Sequence, residues 1–160
     1  MSGDGRFWND VAISKILKLA AGNKVGHVYI GLNGHMSTPA VSHLIRTLNK
    51  DGGDSCMGGI LLTASHNPGG ETEDFGIKFN TPNGGPALEA LTNAIFERTK
   101  VIDKLKVVEN FPEVDLSEAK EIQIEGMKIT VFDSTESYLD LMKELFDFES
   151  IKQLIKRNDF

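Results

Sequence analysis

Apolar and polar residues alternate along this chain with two periods, one near 3.6 residues and one near two. Ile13, Ile16, Leu17 and Ala20 recur at i, i+3, i+4 and i+7, which predicts one buried face of a helix. Gly22 to Gly26 interrupts that pattern, and His27-Val28-Tyr29-Ile30 reads as a strand. Thr38-Pro39 predicts a second helix start, with threonine as N-cap and proline at the first helical position. That helix carries Ala40, Val41, Leu44, Ile45 and Leu48 on one face, and Asp51-Gly52-Gly53-Asp54 ends it. Gly59-Ile60-Leu61-Leu62 is a continuous apolar run that suits a strand covered on both faces. A short strand is expected near Ile77-Lys78-Phe79. After it Pro86 opens a helix with Leu88, Leu91, Ile95 and Ile102 on its buried side. Residues 107–120 are acidic and irregular, and residues 121–132 alternate about Glu125-Gly126 as a β-hairpin does. Asp133 with Glu136 three residues on resembles a capping box, and Tyr138, Leu141, Met142 and Leu145 continue as a helix. Together these elements predict an α/β fold, a three-layer α/β/α domain with a mixed β-sheet.

Composition narrows the class without naming a function. A chain of 160 residues with 40% hydrophobic and 25% charged residues is that of a folded globular domain with a real core. No apolar run approaches the roughly 20 residues a membrane span needs, and the polar opening Ser2-Gly3-Asp4-Gly5-Arg6 is no secretory leader. The single cysteine, Cys56, permits no internal disulfide, which fits a reducing, cytoplasmic setting. A net charge of −6 argues against a nucleic-acid partner, whose phosphates ask for Lys and Arg. It leaves small anionic ligands open, because such a site needs only a few placed cations.

Candidate chemistry sits in Thr63-Ala64-Ser65-His66-Asn67-Pro68-Gly69-Gly70, directly after the buried strand. Ligand sites in α/β sheets gather at the carboxyl ends of strands, so the placement suits a site. Ser65 offers a nucleophile or a phosphate carrier. The glycines allow close backbone approach, and successive N–H groups can cradle an anion. The residue types alone equally describe an Asn-Pro-Gly turn bearing a solvated serine.

The whole string, however, resembles the phosphoserine loop of the α-D-phosphohexomutase superfamily. Asp74-Phe75-Gly76-Ile77-Lys78-Phe79-Asn80 and Asn83-Gly84-Gly85-Pro86-Ala87 resemble its phosphoglucomutase branch, parafusin-like members included. Gly3-Asp4-Gly5-Arg6, Gly31-Leu32-Asn33-Gly34, Ser37-Thr38-Pro39-Ala40 and the hydrophobic stretch from Tyr138 to Phe148 fall in the same order. The resemblance implies that Ser65 carries a phosphate and hands it to a hydroxyl of a hexose monophosphate. The bisphosphorylated sugar then reorients, and its other phosphate returns to the serine, interconverting glucose 1-phosphate and glucose 6-phosphate through glucose 1,6-bisphosphate. Glucose 1,6-bisphosphate is the implied activator. The implied cofactor is Mg²⁺, bound through a Ser65 phosphate oxygen and aspartates of a later domain. His66 matches a histidine that orients the phosphate or relays a proton, although an immediate neighbour is awkwardly placed as a base for Ser65. Lys78 and Arg6 are candidate phosphate-binding cations, with an outward lysine and a structural salt bridge as the bland alternatives. Asn67 is a third candidate contact that also suits shaping the loop.

Other residues read as structural. His27, His35 and His43 lack metal-ligand spacing, Trp8 is expected to pack, and Glu71, Glu73 and Asp74 read as a solvated loop face. Neither a Gly-x-Ser-x-Gly elbow nor a Walker loop is present. No Asp-x-Asp-x-Asp string occurs in residues 1–160, and the resemblance places an earlier strand and a substrate loop ahead of Gly3. The expectation is therefore an incomplete domain I spanning residues 1–160, with its first strand missing, inactive without the remaining domains of the full-length enzyme. The alternative is a parafusin-like phosphoprotein module, read by a partner when Ser65 is phosphorylated.

Overall fold

The computed structural model describes residues 1–50 and 56–157. The predicted end of the second helix, Asp51 to Asp54, lies outside the described residues. The elements in chain order are β1 (Ser2–Gly3), α1 (Asn9–Gly22), β2 (His27–Gly31), a 3₁₀ turn (Leu32–Gly34), α2 (Thr38–Leu48), β3 (Gly59–Leu62), β4 (Ile77–Asn80), α3 (Glu89–Val101), β5 (Lys120–Ile124), β6 (Met127–Phe132), α4 (Glu136–Leu145) and α5 (Phe148–Lys156).

The six strands form two three-stranded mixed sheets, ordered β1-β3-β4 and β2-β6-β5, where one mixed sheet was expected. β1 runs parallel to β3, and β4 returns antiparallel. β2 runs parallel to β6, and β5 pairs antiparallel with β6. β1, two residues long, forms the edge of the first sheet. Even so, Met1 to Gly3 bonds to both sides. The Met1 amino group donates to the Tyr29 carbonyl at 2.6 Å, the Gly31 N–H donates to Ser2 Oγ at 2.9 Å, and Gly3 bridges to His35.

Strand alternation divides the core between two faces. Leu62 and Val131 join Ile13, Leu17, Ile30, Met127 and Ile129 in one buried cluster, whose helix is α1. Their neighbours Leu61 and Phe132 pack with Met36, Ala40, Val41 and Ile45, whose helix is α2. Sheets between helices give the three layers that the sequence predicts.

The β5–β6 turn forms as predicted. Glu125 and Gly126 take φ of 51° and 79°, the left-handed pair that a two-residue hairpin turn needs. The start of α2 shifts by one residue: Ser37, not Thr38, is the N-cap, its Oγ accepting the Ala40 N–H at 3.4 Å. Asp133 and Glu136 form no capping box. Asp133 Oδ1 instead accepts from the Thr135 N–H at 2.8 Å, making a turn before α4.

The largest departure is α3, which begins at Glu89 rather than Pro86 and has no buried residue. Leu88, Leu91, Ile95 and Ile102 are 78%, 39%, 46% and 46% exposed, where a buried side was expected. Periodicity shows that a helix has an apolar stripe, but the stripe is buried only where another surface reaches it.

That contrast can be measured. Ile129→Ala, at a fully buried position of the central strand β6, is expected to cost about 2–5 kcal/mol by urea unfolding. Leu91→Ala, at an equally apolar position on α3, is expected to stay within about 0.5 kcal/mol of the parent.

Candidate active-site loop

The loop after β3 turns through Ser65, whose φ of 60° lies in the left-handed region. A non-glycine residue pays about 1 kcal/mol there and persists only when its surroundings hold it. Thr63 supplies that hold from behind. Its hydroxyl accepts the Ser65 N–H at 3.1 Å and donates to Asp4 Oδ2 at 2.7 Å. Its own N–H bonds the Gly76 carbonyl at 2.9 Å, an approach that leaves no room for a Cβ on Gly76.

In this conformation the exposed Ser65 Oγ lies 2.9 Å from His66 Nδ1. Adjacency in sequence argues against that contact, because extended neighbours point to opposite sides. The left-handed turn at Ser65 brings the two side chains together. The arrangement offers an exposed oxygen nucleophile with an imidazole nitrogen beside it, at the carboxyl end of a buried strand.

Arg6 is drawn into the loop's framework. Its Nε and Nη2 reach Asp4 Oδ1 and Oδ2 at 3.0 and 2.9 Å, and Nη1 donates to the Asp74 carbonyl. The Arg6 side chain is only 6% exposed, so its guanidinium faces loop and carboxylate rather than open solvent. Asn67 Nδ2 donates to Asp74 Oδ2 at 2.7 Å, and its backbone N–H bonds Ala64 at 3.2 Å, closing the same loop. Lys78 stands exposed on β4 opposite Leu61, apart from these contacts. Thus Ser65 is brought to His66, and Arg6 and Asn67 meet at Asp74, while Lys78 joins neither pair.

Sequence reasoning passed over Asp4, Thr63, Trp8 and Asp74. Trp8 tethers the loop through an Nε1–H bond to the Glu71 carbonyl at 2.9 Å, besides an edge contact with Phe7. Asp74, expected as a solvated face, accepts from two side chains. An Asp-x-Arg pair near the start of the chain and a threonine two residues before the serine were the only signals. Neither says which distant loop it meets. The Asn83-to-Pro86 turn packs on α2 instead of serving a helix N-terminus: Ser42 Oγ and Asn80 Nδ2 both donate to the Gly84 carbonyl.

Among the described residues no group of three His, Cys, Asp or Glu side chains is placed to hold a metal ion.

An exposed serine beside an imidazole, buttressed at a strand's carboxyl end, thus sits in an α/β/α frame. Residues 1–106 match the family described as "Phosphoglucomutase/phosphomannomutase, alpha/beta/alpha domain I", and the chain belongs to that family. It is 48% identical over its whole length to a protein of Arabidopsis thaliana named "Probable phosphoglucomutase, cytoplasmic 2", covering 28% of that protein. It is 45% identical to "Phosphoglucomutase 2" of Saccharomyces cerevisiae over 97% of this chain and 27% of the relative. The crystal structure of the Paramecium exocytosis-sensitive phosphoprotein pp63/parafusin, a phosphoglucomutase in open form, superposes with a TM-score of 0.89. That match has 40% identity and covers 99% of this chain and 29% of the other. The chain therefore spans less than a third of the length of these relatives.

The Asp4 carboxylate gives the framework a pH signature. Burial pushes its pKa up, but the hydrogen bonds from Arg6 and Thr63 outweigh that and hold it below the ordinary carboxylate value. A carboxyl depressed on folding stabilises the fold above its unfolded pKa, and that contribution is lost as pH falls through the folded pKa. Asp4→Asn is therefore expected to lose less stability than the parent between about pH 5 and pH 2, measured by urea unfolding across that range.

Proposed function

We propose that Ser65 is the phosphoryl carrier of a phosphoglucomutase and that residues 1–160 are the phosphoserine-bearing part of its domain I. One observation carries this reading: an exposed Ser65 Oγ beside His66 Nδ1, fixed from behind by Thr63 and Asp4. Phosphoryl transfer asks mainly for in-line placement and stabilised charge, so a rigid, accessible oxygen is the part a carrier domain has to contribute.

In the forward step the bond between phosphorus and Ser65 Oγ breaks as a sugar hydroxyl of a hexose monophosphate bonds to phosphorus. The hydroxyl proton is lost and Ser65 Oγ regains one, and His66 is placed to hold the proton on the serine side. After the bisphosphate reorients, the reverse exchange at its other phosphate restores phosphoserine. Lys78 supplies an ammonium toward the transferring group. Arg6 and Asn67 act by holding the loop, as their bonds to Asp4 and Asp74 support. Mg²⁺ fits this loop only through a Ser65 phosphate oxygen, completed by carboxylates outside these residues, and when bound it neutralises developing phosphate charge. Glucose 1,6-bisphosphate serves as activator, hexose phosphates as substrates, and the cytoplasm as setting, in line with the names of the plant relatives.

The test uses the chain with ³²P-labelled glucose 1,6-bisphosphate and Mg²⁺, beside Ser65→Ala. Label on Ser65 that is absent from the variant is the expected result, with no net conversion of glucose 1-phosphate by these residues alone. Label on another residue would overturn the carrier assignment. Ser65 phosphorylation that requires an added kinase would favour a phosphorylation-dependent interaction module, a role that fits the naming of the Paramecium relative as a phosphoprotein.

A further inference from the structure

The turn that leads from β1 into α1 is built from unusual residues. The Arg6 carbonyl accepts the Asn9 N–H at 2.8 Å, so Phe7 and Trp8 are the two central residues of the turn. Small and polar residues ordinarily fill such positions. Here two large rings stand there, 57% and 39% exposed, with centroids 4.9 Å apart and planes at 79° to each other. They make an apolar corner on the surface, and its flanks are fixed. Asn9 is buried on one side, and on the other the Arg6 guanidinium is bonded to Asp4 and Asp74. The Trp8 Nε1–H donates to the Glu71 carbonyl at 2.9 Å, which satisfies the indole's polar atom and holds the ring in place.

Topology puts this corner at a ligand crevice. Ser2 bonds β2 on one side, while β1 pairs with β3 on the other. From its carboxyl end β1 leads through α1 to β2, whereas β3 leads to β4 on the opposite side. Such a divergence is the switch point at whose carboxyl edge α/β sheets bind ligands. Residues 4–8 leave from one lip of it and the Ser65 loop from the other. The two segments run together, for Asp4 reaches Thr63, Arg6 reaches Asp74 and Trp8 reaches Glu71.

We propose that Phe7 and Trp8 form a stacking platform for the hexose ring of the phosphosugar, a binding role that rests on the carrier reading of Ser65. A hexopyranose is polar at its rim and presents C–H groups on its two faces, which suit the apolar surface of an aromatic ring. The reaction favours this kind of contact. The bisphosphate has to reorient beside Ser65, and groups aimed at particular hydroxyls hold one orientation only. Stacking reads a face and tolerates both, as aromatic side chains stack on nucleic acid bases without reading their edges. Because the corner is already rigid, little side-chain freedom is lost when the sugar arrives.

Trp8 is the only tryptophan in the 160 residues, so its emission reports this corner alone. The experiment titrates glucose 6-phosphate into the whole chain, with inorganic phosphate and the open-chain glucitol 6-phosphate as companion probes. Glucose 6-phosphate is expected to change the emission saturably and inorganic phosphate to leave it unchanged. Glucitol 6-phosphate, which has the phosphate but no ring, is expected to bind about tenfold more weakly. Phe7→Leu keeps an apolar side chain without the ring and is expected to weaken glucose 6-phosphate binding about tenfold, whereas Phe7→Tyr binds as the parent does. Unchanged emission, an equal response to either companion probe, or parent-like binding by Phe7→Leu would each overturn the platform. Phosphoryl label on Ser65 without an emission response overturns the platform and leaves the carrier. An emission response without label supports the platform and counts against the carrier.

Discussion

Three residues, Met1 to Gly3, are the constraint on which the rest depends. They donate to and accept from β2 on one side and pair with β3 on the other, so they fix how the two sheets face each other. The chain then leaves Gly3 as Asp4, whose carboxylate reaches the hydroxyl of Thr63. The fold and the candidate site therefore share one anchor. A shift of Ser2 along Leu61 would displace the support of Ser65 by the same step.

Much of the fold was legible because its elements are amphipathic in the ordinary way. The stripe of Ile13 and Leu17, the run from Gly59 to Leu62 and the Glu125-Gly126 turn each state a local preference that tertiary contacts then satisfy. Where local pattern and long-range contact part company, the reading fails. Leu91 and Ile95 form a stripe that stays partly exposed, and Asp133 bonds the nearby Thr135 rather than capping α4. Ser2-Gly3 carries no apolar signal, so its strand is invisible without β3 beside it.

The candidate site was legible in its chemistry and not in its support. Ser65 stands out by the residues around it, but Thr63, Asp4 and Asp74 acquire meaning only when residues 4 and 74 converge on one loop. Arg6 shows why side-chain identity underdetermines role. A guanidinium that suits phosphate suits a carboxylate and a carbonyl equally well, and here two such acceptors already lie within reach. The left-handed turn at Ser65 likewise depends on bonds from outside the loop, and it is that turn which brings His66 to the serine.

The pairing of β2 with β6 joins His27 to Lys128, about a hundred positions apart. Closing so long a loop delays the reward of the contact, as it does in any topology rich in distant neighbours. The cluster of Ile30, Ile129 and Val131 thus cannot assemble during synthesis until Phe132 has left the ribosome. The hairpin β5–β6, whose contacts are local, is free to form first and to serve as the template on which the earlier half of the chain settles.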